Sequence, residues 1–196
     1  MADSKYNPDL WVDYVRKLQI RGVRPEMAWA GFASQYRVAG NFSCSHFFHL
    51  SDRVARSYSE AMRLLLAYSA FEAACQAANV KVHASKIDGA DGFINEARTC
   101  LRTAFKDVPE DLFPLRAALG NSLLSRKVDR FLSGEDDDLQ PISAALRSLF
   151  AHGVWMPKGS SALSSAACRG LSLSSQCILI ASNGIFERHY YDGFSS

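Results

Sequence analysis

Apolar residues recur along this chain at three- and four-residue spacing, and almost nowhere at the two-residue spacing of a half-buried strand. Leu10, Trp11, Tyr14, Val15 and Leu18 make the first such stripe. Asn7-Pro8-Asp9 opens it, with Pro at an early helical position, and Gly22 ends it. Pro25-Glu26 starts a second helix with Met27, Trp29, Phe32, Ala33 and Tyr36 on its inner face, closed at Gly40. Neither short helix can bury its face alone, so the two read as a hairpin. Ser51 then caps the longest helix, predicted from about Asp52 to Asn79. Val54, Tyr58, Ala61, Met62, Leu65, Leu66, Ser69, Ala73 and Ala77 keep helical spacing along it.

The second half continues the pattern. A polar connection from Lys81 to Gly89 contains His83, read as a surface residue, and Asp91 starts a helix with Phe93, Ile94, Ala97, Leu101, Ala104 and Phe105 facing in. Pro109 and Pro114 bracket the start of a helix predicted to reach about Leu132 through Leu115, Leu119, Leu123, Val128 and Phe131. Gly120 is placed to bend or interrupt it. After the acidic turn 133–138, Asp138 or one of its neighbours is placed to cap a helix that takes Pro141 in its first turn. Ile142, Ala145, Leu146, Leu149 and Phe150 face inward on it, and His152-Gly153 ends it. The Ser-, Gly- and Lys-rich stretch 156–165 reads as a mobile loop. A last helix over 172–191 carries Cys177, Ile178, Ala181, Ile185 and Phe186. Residues 174–180 are also readable as a short strand, although nothing would pair with it. The expected fold is therefore all-α, a bundle of about six or seven helices. Residues 1–50 form an N-terminal helical extension and 51–196 the main bundle.

Composition narrows the function classes. A net charge of +2 is too small to argue for nucleic acid or a membrane by itself, although 15 Arg against 7 Lys favours bidentate contact with phosphate or carboxylate. The five cysteines show no close pairs, and Cys75 and Cys100 sit in apolar helical patterns, as reduced core thiols do. A reducing, cytoplasmic compartment is expected, with no membrane partner: the first residues lack the apolar run of a signal peptide, and no apolar segment is long enough to span a bilayer.

Three groups of residues carry candidate chemistry. Cys44, His46 and His49 could supply three zinc ligands, with Cys168 or another residue as the fourth. Their spacing matches no common structural zinc pattern, and packing among Phe42, Phe47 and Phe48 is the reading favoured for them, so no metal or other cofactor is expected. Tyr68 and Glu72 stand four apart on the long helix, hence on one face. Glu72, between Phe71 and two alanines, needs a partner unless it simply faces solvent. The third group is Leu146-Arg147-Ser148-Leu149-Phe150-Ala151-His152-Gly153, which closes an apolar helix with an Arg, four intervening residues, a His and a Gly.

That last pattern resembles the HEPN superfamily, whose mark is Arg-x4-6-His near the end of a late helix in an α-helical bundle. The resemblance covers roughly residues 51–191, with no counterpart for 1–50. It implies a metal-independent endoribonuclease acting as a homodimer on RNA, with Arg147 and His152 catalytic and Ser148, Glu72 and Tyr68 supporting. It also implies a toxin or defence effector with a cognate antitoxin or regulatory protein. Ser148 stands where many members have Asn or Asp. Val154 stands where nucleotidyltransferase-regulated members often have Tyr, which weakens the case for control by AMP transfer at this site.

The chemistry suits these residue types. RNA brings its own nucleophile, the 2′-OH, so cleavage needs only a proton carrier and a cation for the charge growing on phosphate. His is suited to the first role and Arg to the second. Five residues on an ideal helix turn through about 500°, so the two side chains point about 140° apart. They converge on one phosphate only in an unwound helix end or across a dimer. The opposing reading is a helix end: basic residues in a last turn favour the negative pole, and Gly at C′ is an ordinary stop. A noncatalytic HEPN-like module that binds protein or nucleic acid is the alternative function, and an unrelated helical protein is the third.

Overall fold

Helix α3 (Asp52–Ala77) runs through the middle of the structure, a computed structural model describing residues 8–22, 27–42, 51–87, 91–107, 119–120, 122–152 and 162–194. Ser51 caps it, its Oγ accepting from the Val54 N–H at 3.5 Å. Ala67, Ala70 and Ala74 alternate with Leu64, Phe71 and Cys75 in the buried set, and small side chains of this kind let neighbouring helices approach closely. Burial extends well beyond a single stripe, because several helices pack around α3. They are α2 (Met27–Asn41), α6 (Leu139–Ala151) and α7 (Ser165–Phe194).

The remaining elements complete the bundle: α1 (Pro8–Ile20), α4 (Asp91–Asp107) and α5 (Leu123–Ser133), with one 3-10 turn at Val82–Ala84. The described residues thus form seven α-helices and no strand, as the periodicity predicts. No helix among them is long and apolar enough to cross a membrane.

α7 is the second axis. Gly170 lies so close to α4 that an added Cβ would sit 2.8 Å from Leu101 Cδ2 and 3.2 Å from its backbone N. At the start of α7, Ser57 Oγ accepts from the Leu163 N–H at 3.1 Å and lies 3.8 Å from Cys168 Sγ, tying the helix to α3. Near its end, Phe186 receives Trp11 and Tyr14 from α1 and Trp29 and Phe32 from α2, with ring centroids 5.3–5.8 Å apart. Tyr190 donates to Asp13 and accepts from Lys17, which pins α1 to the same helix. One continuous core runs from Tyr14 and Trp29 through Phe71 and Phe105 to Phe186.

Several boundaries and faces differ from the sequence reading. α7 begins at Ser165 rather than 172 and ends at Phe194, so at 30 residues it, and not the 26-residue α3, is the longest helix; residues 174–180 are helix, as the main reading has them, and not the alternative strand. Its serines explain why: Ser175 and Ser182 donate to the carbonyls of Leu171 and Ile178 four residues back, so buried hydroxyls are satisfied within the helix. The helix predicted up to Leu132 is interrupted at Gly120, as its placement suggested. Gly120 takes a left-handed φ of 53°, and α5 starts afresh where Ser122 accepts from the Ser125 N–H at 3.1 Å. Met27, Phe93 and Leu123, assigned to inner faces, are exposed; each lies in the first turn of its helix, before the neighbouring helices cover it. His83 is at the surface, as expected.

Candidate functional site

The seam between α3 and α6 is where polar chemistry enters the core. α6 is fixed first. Asp138 caps it, accepting from the Gln140 N–H at 2.9 Å, and the same carboxylate accepts from the Ile87 N–H at 3.3 Å. Leu139, Ile142, Ala145 and Leu146 are fully buried and set the rotation of the helix. That rotation turns Gln140, Ser143 and Arg147, spaced three and four residues apart, toward α3.

Each finds a different surrounding. Gln140 Nε2 donates to the Tyr68 hydroxyl at 2.9 Å, and Tyr68 is only 3% exposed. Burial pushes the Tyr68 phenol up to about 12; Glu72 adds to the shift, while Gln140 and Arg147 oppose it. One turn along α3, Glu72 Oε2 accepts from Arg147 Nη2 at 2.9 Å, with the two side chains 38% and 34% exposed. Glu72 therefore has a partner and does not simply face solvent. Two atoms in the seam stay without a hydrogen-bond partner among the described residues: Arg147 Nε and Ser143 Oγ. A buried donor left open in this way costs free energy, and here it lies on the edge of a guanidinium.

His152 stands apart from this seam. α6 ends at Ala151, and His152 is its C-cap (φ −90°, ψ 2°), exposed, its N–H donating to the Ser148 carbonyl at 3.1 Å. Ser148, half-buried, contributes to the helix end through that carbonyl. Gly153 and Val154 lie outside the described residues. The angular offset of the two basic residues is thus realised as two environments: a guanidinium fixed against α3 and an imidazole open to solvent.

The structure brings Tyr68, Glu72 and Arg147 into one cluster and leaves His152 at its helix end. Gln140 joins the cluster and sequence reasoning missed it. Its place in the first turn, beside a capping Asp, made it look like an ordinary helix-start residue. Its alignment with Ser143 and Arg147 on one face of an otherwise apolar helix was the available signal.

Cys44, His46 and His49 lie outside the described residues. Among those described, no group of three or more His, Cys, Asp or Glu is placed to hold a metal. The described cysteines are free thiols, and burial raises Cys75, Cys168 and Cys177, the last to about 11. No protein-family model matches the chain, and no curated protein or solved structure is similar to it, so the HEPN resemblance stands on the residues alone.

Proposed function

We propose that this chain is a HEPN-type, metal-independent endoribonuclease whose active site is completed in a homodimer by Arg147 and His152. The observation that carries the reading is the Glu72–Arg147 pair at 2.9 Å, which fixes a partly exposed guanidinium and leaves its Nε unused. A cation held by a carboxylate is oriented before substrate arrives, and orientation is what electrostatic catalysis requires. His152, exposed at the end of the same helix, supplies an imidazole that no side chain among the described residues engages.

In this reading the 2′-oxygen attacks phosphorus while the imidazole accepts its proton. Arg147 bears the charge developing on the phosphoryl oxygens, and the imidazolium returns the proton to the departing 5′-oxygen. The products are a 2′,3′-cyclic phosphate and a 5′-OH. No metal or other cofactor enters. The chain acts in the cytoplasm as a toxin or defence effector, and a cognate antitoxin or regulatory protein restrains it.

A second reading is favoured by the same ion pair. Arg147 already has its charge met by Glu72, as in a helical module that binds protein or nucleic acid without cleaving it. Incubation with RNA in EDTA, beside Arg147→Ala and His152→Ala, separates the two. Cleavage by wild type that leaves cyclic phosphate ends and is lost in both variants supports the nuclease. Equal cleavage by all three, or none by any, removes it.

A further inference from the structure

An open groove of about 260 Å³ lies between α1 and α2, lined by Trp11, Val12, Val15, Arg16 and Gln19 of α1 and Arg37 of α2. It is built from helices other than those carrying Arg147 and His152. Its floor is apolar: Val12 is 50% exposed, and Trp11 is held by Tyr14 at 5.5 Å and Phe186 at 5.7 Å between ring centroids. Its two charges are both guanidinium, and neither forms a close ion pair among the described residues, although Arg16 lies near enough to Asp13 to lower that carboxyl. Asp13, one turn before Arg16, is occupied by Lys17 at 3.0 Å and by the Tyr190 hydroxyl.

We propose that this groove holds one nucleotide of single-stranded RNA, away from the scissile phosphate. The base lies on Trp11, Val12 and Val15, and the flanking phosphates meet Arg16 and Arg37. This rests on the reading of RNA as substrate. An aromatic platform beside paired cations is the combination that holds single strands without demanding a sequence. Arg is the cation best matched to phosphate, because its fork is planar and weakly hydrated. The other ligand such charges would attract is an acidic protein segment, which the competition arm of the test distinguishes. Trp11 is fixed by its aromatic neighbours before any base arrives, so stacking costs little ordering.

The test uses the full chain carrying His152→Ala, so that RNA is bound and not cut, with a fluorescently labelled twelve-residue oligouridylate as probe. Anisotropy titrations at several salt concentrations give affinity and its salt slope. Arg16→Glu/Arg37→Glu should weaken binding at least tenfold and lower the slope by about 1.4, since each phosphate contact on a single strand contributes about 0.7. Trp11→Ala should weaken binding roughly tenfold and Trp11→Phe much less, as expected for a stacking platform. Should Trp11→Ala fail to fold, the arginine pair, on the surface, decides alone. Unchanged affinity and slope in Arg16→Glu/Arg37→Glu overturns the proposal. So does competition by polyglutamate that matches unlabelled oligouridylate, which would make the groove a site for acidic protein. Binding that depends on these residues, in a protein whose wild type never cleaves RNA, would remove the nuclease reading and keep the groove. Cleavage by wild type with binding indifferent to them would do the reverse.

Discussion

Removing the Glu72 carboxylate tests whether the ion pair with Arg147 stabilises the fold or aims a guanidinium. The pair spans two helices at 2.9 Å, but its side chains are 38% and 34% exposed, so water screens it. Pairs this accessible contribute about 0.2–1 kcal/mol to stability. For a chain of 196 residues each kcal/mol moves the melting temperature by roughly 2–4 °C. Glu72→Ala should therefore lower it by about 4 °C at most. A double-mutant cycle with Arg147→Ala should return a coupling energy of about 1 kcal/mol or less. If the carboxylate positions Arg147, the catalytic loss is much larger, because a displacement of about 1 Å can cost roughly a hundredfold in rate. Glu72→Ala should thus cut kcat about a hundredfold with KM little changed, and Glu72→Gln, which keeps a hydrogen-bond acceptor, should recover part of it. Thermal unfolding and single-turnover RNA cleavage, run on the same preparations, read both quantities. A coupling energy above about 3 kcal/mol, with activity per folded molecule unchanged, would refute the positioning role.

Other outcomes follow from the packing. Tyr68→Phe leaves the Gln140 amide without its acceptor in the core and should cost about 1–3 kcal/mol in urea unfolding; a change below about 0.3 kcal/mol would contradict the bond. The Tyr68 phenol rises from 10.0 to about 12 on folding, so its contribution is complete below pH 10 and is lost as pH rises through 12. Wild type should therefore lose stability across that window more steeply than Tyr68→Phe, as followed by circular dichroism. Gly170→Ala drives a methyl to within 2.8 Å of Leu101 Cδ2 and should destabilise by about 1–3 kcal/mol, since the Leu101 backbone cannot retreat; a stabilised variant would show that α4 and α7 sit further apart. Cys168 and Cys177, buried and raised, should react with a thiol reagent at pH 7.5 only on unfolding, and prompt labelling in the native state would oppose their placement.

Helix order was legible because amphipathic spacing repeats through most of the chain, and caps such as Ser51 and Asp138 mark where helices begin. The rest was hidden for identifiable reasons. The start of α7 is read seven residues late because Ser164, Ser165 and Gly170 suggest loop, whereas Ser164 accepts from the Ala167 N–H at 3.0 Å and so opens the helix. Met27, Phe93 and Leu123 carry core-type side chains in first turns that no neighbour covers, which a periodicity argument cannot foresee. At the site, the shared face of Tyr68 and Glu72 followed from their spacing, but the identity of their partners did not. Gln140 and Arg147 reach them only because α6 packs beside α3, a contact between residues more than seventy positions apart. Spacing also gave the divergence of Arg147 and His152, and the fold assigns one to a seam and the other to solvent.

A nuclease site shared between protomers is tested most directly by mixing two inactive chains. Arg147→Ala and His152→Ala proteins, each purified and then unfolded and refolded together in equal amounts, are assayed on RNA in EDTA. If one protomer gives the Arg and its twin the His, half of the dimers are mixed and each keeps one of two sites. The mixture should then recover about a quarter of wild-type activity, while either variant alone stays inactive. A mixture that forms mixed dimers and remains as inactive as its components would contradict a shared site.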